Sequence, residues 1–132
     1  MHVIRLRRPW RKLGPDGIEL RVDVPEHPYE SLSPSSAPLG QATLYERSFN
    51  SPSGIDADTK VLLRIESWEG RLTTVTVNDQ IIATNVERPG IDIDVLPVLR
   101  PNNRLIITLE SANESEPRLS GGVSLLISAE PS

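Results

Sequence analysis

The feature that most constrains this chain is a period-two alternation of apolar and polar residues that returns along its length. Ile18-Glu19-Leu20-Arg21-Val22-Asp23-Val24 alternates without a fault, and Ile91-Asp92-Ile93-Asp94-Val95 does the same. Successive side chains of a strand point to opposite faces, so such runs bury one face and solvate the other. A helix would need apolar residues three and four apart, and no segment offers a convincing one. The pattern predicts an all-β chain.

Read in this way, Val3-Ile4-Arg5-Leu6-Arg7 buries Ile4 and Leu6 and exposes Arg5 and Arg7, and Pro9 ends or bends the strand. Ile18 to Val24, the cleanest strand, carries Ile18, Leu20, Val22 and Val24 on one face. Gln41 to Phe49 sets Ala42 and Leu44 opposite Thr43, Tyr45, Arg47 and Phe49. Lys60 to Trp68 sets Val61, Leu63 and Ile65 opposite Leu62, Arg64, Glu66 and Trp68. Leu72 to Val77, the turn dipeptide Asn78-Asp79 and Gln80 to Ala83 form a hairpin. Arg104 to Leu109 and Val123 to Ile127 add two strands, with Leu99 plugging the connection before the first. Short strands at regular spacing with Gly and Pro turns predict a β-sandwich or barrel.

Pro25, Pro28, Pro34 and Pro38, mixed with Ser31, Ser33, Ser35 and Ser36, make residues 25–40 a long Pro/Ser-rich loop. Removing much of Ser31 to Pro38 is expected to leave the sandwich folded, because the loop brings few core residues. The 132 residues, 37% hydrophobic, suffice for one core and are too few for two, so residues 1–132 are expected to form a single domain.

Composition excludes much chemistry. Without Cys there is no disulfide framework, thiolate nucleophile or Cys-ligated metal, and His2 and His27 are the whole imidazole supply. A net charge of −4 gives no global pull toward nucleic acid or anionic membrane, and neither is expected as a partner. Five of the 14 basic residues, Arg5, Arg7, Arg8, Arg11 and Lys12, precede the first acid, Asp16. That cluster is either a contact for an acidic partner or the solvated face of a first strand. No signal peptide or membrane span is visible, which makes a soluble, cytoplasmic protein the default expectation.

Three blocks carry a family resemblance. They are Tyr45-Glu46-Arg47-Ser48-Phe49, then Val75-Thr76-Val77-Asn78-Asp79 after Trp68-Glu69-Gly70, and then Ile91-Asp92-Ile93-Asp94-Val95 through Leu99-Arg100-Pro101-Asn102-Asn103-Arg104-Leu105. Together they resemble the galactose-binding-like jelly roll that forms the N-terminal sugar-binding domain of family 2 glycoside hydrolases. The resemblance covers residues 41 to 127, and Arg8-Pro9-Trp10 is faintly similar to the opening of such domains. It implies a jelly-roll β-sandwich and a non-catalytic binding or accessory module, because in those hydrolases the catalytic carboxylates lie in a separate barrel. Asp79 stands where the family usually has Gly, a departure that bears on the turn type.

For a sugar ligand the chemistry asks for an aromatic platform with polar side chains around it that pair hydroxyls. Aromatics are only 4% of the chain. Trp10, Trp68 and Tyr45 are the candidate platforms, each also a candidate core plug, with Glu69 and Arg47 as polar partners. Tyr29 is a candidate partner anchor in the loop. Asp56 with Asp58, or Asp92 with Asp94, could supply oxygen ligands to a structural calcium ion, although a solvated strand face looks the same. No other cofactor is expected. The function expected is a carbohydrate-binding or accessory module of a glycan-processing system, or alternatively a protein-assembly module without a sugar ligand.

Overall fold

A computed structural model describes residues 2–14, 17–25, 42–52, 54–55, 58–86, 90–111 and 117–129. The Pro/Ser-rich stretch after Pro25, with Tyr29, and Asp56 lie outside them. Ten strands are present: β1 (His2–Arg5), β2 (Trp10–Leu13), β3 (Glu19–Val22), β4 (Ala42–Asn50), β5 (Thr59–Ile65), β6 (Arg71–Val77), β7 (Gln80–Val86), β8 (Ile91–Asp94), β9 (Asn102–Glu110) and β10 (Val123–Ala129). A 3₁₀ turn at Leu96–Val98 is the only helical element among the described residues. No helix there is long and apolar enough to cross a membrane.

The strands form two antiparallel sheets, one ordered β1-β10-β5-β8 and the other β3-β2-β4-β9-β6-β7. Their inner faces share one apolar cluster. Val61, Leu63, Ile65, Val123 and Leu125 come from the small sheet, and Trp10, Tyr45, Phe49, Leu72, Val75, Val77, Leu105, Ile107 and Leu109 from the large one. This is the β-sandwich that the short alternating strands predict, of the jelly-roll type that the resemblance implies, and Val61, Leu63 and Ile65 of β5 share the inward face as their alternation groups them. Strand ends differ by a residue or two.

Two elements depart from expectation. The faultless Ile18–Val24 alternation does not mark a core strand: Ile18 is 57% and Leu20 53% exposed, and only Val24 is fully buried. The cause is position. β3 is the edge of a six-stranded sheet faced by four strands, and at about 4.8 Å per strand the wider sheet overhangs its partner. The other edge, β7, overhangs likewise and leaves Ile81 63% exposed. Conversely, β2 is a strand the pattern misses. Pro9 separates it from β1, and its second inward position is Lys12, buried to 6% exposure with its ammonium 5.4 Å from the Tyr45 ring centroid.

The turns are set by local chemistry. Asn78 and Asp79 both have positive φ, 53° and 66°, so the β6–β7 hairpin keeps the type I′ geometry that its twist favours, with Asp79 accommodated in place of Gly. Between β5 and β6 the chain runs antiparallel to residues 118–122. Glu69 N–H donates to Arg118 O at 2.7 Å, Arg118 N–H returns to Glu69 O at 3.1 Å, and Gly121 N–H donates to Ser67 O at 3.0 Å. A Cβ on Gly121 would stand 2.4 Å from Ser67 Oγ, so glycine is what lets the two backbones meet.

Candidate functional site

The five sequence-derived site residues fall in two places. Trp10, Tyr45 and Arg47 lie on the inner face of the large sheet, where β2 pairs with β4. Trp68 and Glu69 lie in the β5–β6 crossover.

Trp10 is fully buried and its Nε1 donates to Leu6 O at 2.7 Å; Tyr45 is also fully buried. Neither ring presents a face to a ligand, so the platform role drawn for them is corrected to that of core plugs. An inward strand position between two sheets is already filled by protein. Trp68 is half-buried and packs against the core cluster. Glu69 is exposed and accepts a 3.0 Å ion pair from Arg118 Nη2, which fixes the crossover.

Arg47 stands on the inward register of β4 but at the rim of the core. Nη1 donates to Ser48 O at 3.1 Å and Nη2 to Arg8 O at 3.0 Å, while Nε is buried without a partner. No carboxylate among the described residues pairs with it. Burial pulls its pKa below the ordinary guanidinium value, although it stays charged.

Four other arginines, Arg11, Arg64, Arg104 and Arg118, hold carboxylates. Arg64 forks onto Asp92, Nε to Oδ1 at 2.8 Å and Nη2 to Oδ2 at 2.9 Å, and this hydrogen-bonded cation holds the Asp92 carboxyl below the usual aspartate range. On the outer face of the large sheet, Glu46 accepts from Arg11 at 3.1 Å and Arg104 at 2.5 Å, and Arg11 also reaches Glu19 at 3.3 Å. Asp94 Oδ1 accepts from Leu96 N–H at 3.1 Å at the start of the 3₁₀ turn. Asp92 and Asp94 thus share a face and have separate structural tasks. Among the described residues, no three His, Asp or Glu stand together as a metal site would require.

The sequence gives no sign of a shallow hollow of about 340 Å³ lined by Arg64, Ile65, Glu66, Gly90, Ile91 and Asp92. Glu66 Oε2 accepts from Gly122 N–H at 2.9 Å, and a Cβ on Gly122 would stand 2.8 Å from that oxygen. Glycines on either side keep the space around Glu66 open. The polar residues that most visibly hold the fold are Asn78 and Asn103. Asn78 Nδ2 donates to Val98 O at 2.8 Å and to Asn103 Oδ1 at 2.9 Å, and Arg104 N–H donates to Asn78 Oδ1 at 3.0 Å. Asn103 Nδ2 reaches Arg100 O at 2.8 Å and Ser51 Oγ at 3.0 Å, and its Oδ1 accepts from Arg100 N–H at 2.8 Å. These are scaffold contacts.

No protein-family model matches the sequence, and no curated protein matches it significantly. The fold does match solved structures. An FMN-binding β-glucuronidase from Faecalibacterium prausnitzii superposes with a TM-score of 0.76 at 20% identity over 96% of this chain and 22% of its own. A β-glucuronidase from Bifidobacterium dentium gives 0.76 at 15% identity, over 97% of this chain and 30% of its own. A β-D-mannosidase from Dictyoglomus thermophilum gives 0.73 at 12% identity, over 96% and 22%. The chain therefore spans less than a third of the length of these enzymes. At such identities the likeness establishes a shared β-sandwich, in keeping with the jelly-roll resemblance of the sequence blocks.

Proposed function

We propose that this chain is a non-catalytic accessory module of a glycan-processing system. The observation that carries the reading is the superposition of nearly the whole chain on less than a third of each of three glycoside-cleaving enzymes. Fold alone does not fix function, and the carboxylate chemistry adds support. Glycoside cleavage needs two carboxyl groups facing across a cleft, one held as an acid. Here Glu46, Glu69 and Asp92 are committed to arginines, and Glu66 to a backbone N–H.

If the module contacts sugar, the contact is polar, made by groups such as Glu66 at the hollow, with Trp68 as the remaining partly accessible ring. A glycan-array screen of the purified chain tests this, with Glu66→Gln and Trp68→Ala variants checked for folding. Binding lost in a folded variant establishes a carbohydrate module; silence across the array leaves the second reading.

That second reading is a docking module with no sugar ligand, and one observation favours it: Trp10 and Tyr45, two of the three candidate platform rings, are fully buried.

A further inference from the structure

We infer that the β1–β2 link is a docking surface for a carboxylate-rich protein segment, anchored by Arg47 and rimmed by Arg5, Arg7 and Arg8. The inference rests on the docking reading above and names its partner's chemistry.

The argument begins with how this molecule treats its arginines. Arg11, Arg64, Arg104 and Arg118 each hold a carboxylate at 2.5–3.3 Å. Arg118, like Arg47, has a buried Nε without a partner, but its Nη2 is neutralised by Glu69. Arg5, Arg7, Arg8, Arg21, Arg71 and Arg100 are exposed to water and form no ion pair among the described residues; Arg47 differs from both groups, a half-buried guanidinium whose donors meet two backbone carbonyls and no counter-charge among the described residues. Desolvating a cation in this way is unfavourable unless an anion arrives to offset it.

Among the described residues, no anion is placed to do so. Arg47 Nη2 bonds the carbonyl of Arg8, so its charge lies against the link itself. Arg7 and Arg8 have exposed side chains, and Arg5 is exposed on the outer face of β1, opposite Ser124. None of the three has an ion pair among the described residues. Glu46, next to Arg47 in sequence, points to the opposite face and is held by Arg11 and Arg104. Asp23 adjoins the link through the Val24 N–H to Arg7 O bond of 2.8 Å, and Glu66 through Gly122, which precedes the Val123 carbonyl that accepts from Leu6 N–H at 2.9 Å, yet neither forms an ion pair among the described residues. Several guanidiniums spread along one exposed segment suit a partner with several carboxylates better than a ligand with one. Val3, 47% exposed, lies on the same outward face of β1 as Arg5 and adds an apolar contact beside the arginines.

The test is a titration of the isotope-labelled full chain with a hexaglutamate peptide, followed by amide NMR shifts, with hexaglutamine and digalacturonate as comparison ligands. Expected are saturable shifts at residues 5–10 and 47–48 with hexaglutamate, weakening as salt rises from about 50 to about 300 mM. Hexaglutamine should give none and digalacturonate much smaller ones. Arg47→Gln should weaken affinity about fivefold or more, a loss on the scale of a partly desolvated ion pair. Arg8→Glu changes a solvated side chain and leaves its carbonyl in place, so it keeps the test decisive if Arg47→Gln fails to fold. Arg71→Glu, an exposed arginine on β6, should change nothing. Shifts of equal size with digalacturonate would overturn the protein-segment assignment. Equal losses from Arg71→Glu, or no shifts at all, would overturn the site. Because the readout contains no glycan array, its failure is distinct from failure of the accessory-module reading.

Discussion

At the residue scale, fold and candidate function separate cleanly in the two asparagines and Arg47. Asn78 does two jobs: it adopts the positive φ of a type I′ turn, and its amide ties β7's hairpin to the start of β9 and to the 3₁₀ turn. Asn78→Ala removes three hydrogen bonds and places a residue unsuited to the left-handed region there. The expected loss is about 2–4 kcal/mol in urea unfolding, because each orphaned buried group costs about 1–3 kcal/mol and relaxation recovers part. Asn78→Gly keeps the backbone geometry and should recover about 1 kcal/mol of that loss. Equal losses in the two variants would mean that φ contributes nothing. Two of the three blocks that carry the family resemblance contain these asparagines, which is why they announce the fold and say little about a ligand. Arg47 is legible in sequence only as a candidate; what marks it, the absence of a carboxylate near it, depends on where Glu46, Asp23 and Glu66 point.

At the element scale, β2 and β3 show where pattern stops being informative. β3 alternates perfectly because alternation records which side chains can face a core, and whether a core is present depends on the width of the opposing sheet. Leu20→Lys should therefore change stability by no more than about 0.5 kcal/mol, while Leu63→Ala in central β5 should cost about 2–5 kcal/mol. Comparable losses at the two positions would place β3 within the core after all. β2 fails the opposite test, since its inward lysine breaks the apolar period although the strand is real. The hollow at Glu66 is equally invisible in sequence, being assembled from the β5 end and from Gly90 with β8, which no local motif links. Its edge is tied by Arg64–Asp92, and this pair makes a pH prediction. The folded-state carboxyl of Asp92 lies below its unfolded value of about 3.9, so its contribution to stability is present above that value and is lost as pH falls through the lower, folded one. Asp92→Asn should lower Tm slightly at pH 7, and the gap between variant and parent should close in strong acid. Because the pair is solvent-exposed the effect is small, and a gap independent of pH would assign it to packing instead.

At the scale of the whole molecule, the two sheets are bound into one unit by the apolar cluster between them. β1 and β10 are hydrogen-bonded neighbours, with His2 opposite Ile127, and the segment between them builds both sheets around a single apolar cluster. Neither sheet has a second layer of its own, so each exposes its apolar face if the other leaves. We therefore expect residues 1–132 to unfold as a single domain in one transition. Indole fluorescence reports on Trp10 in the large sheet and Trp68 in the crossover, and far-UV circular dichroism reports on all strands; their midpoints should coincide. The calorimetric enthalpy should equal the van't Hoff value and fall near about 90 kcal/mol, from about 0.7 kcal/mol per residue near 60 °C. Pairing residues so far apart in sequence raises the contact order, so refolding should be slow, in the millisecond-to-second range of sandwiches. Two resolved transitions would show that the sheets hold themselves together independently, and the docking surface at the link between β1 and β2 would then span a hinge instead of a rigid corner.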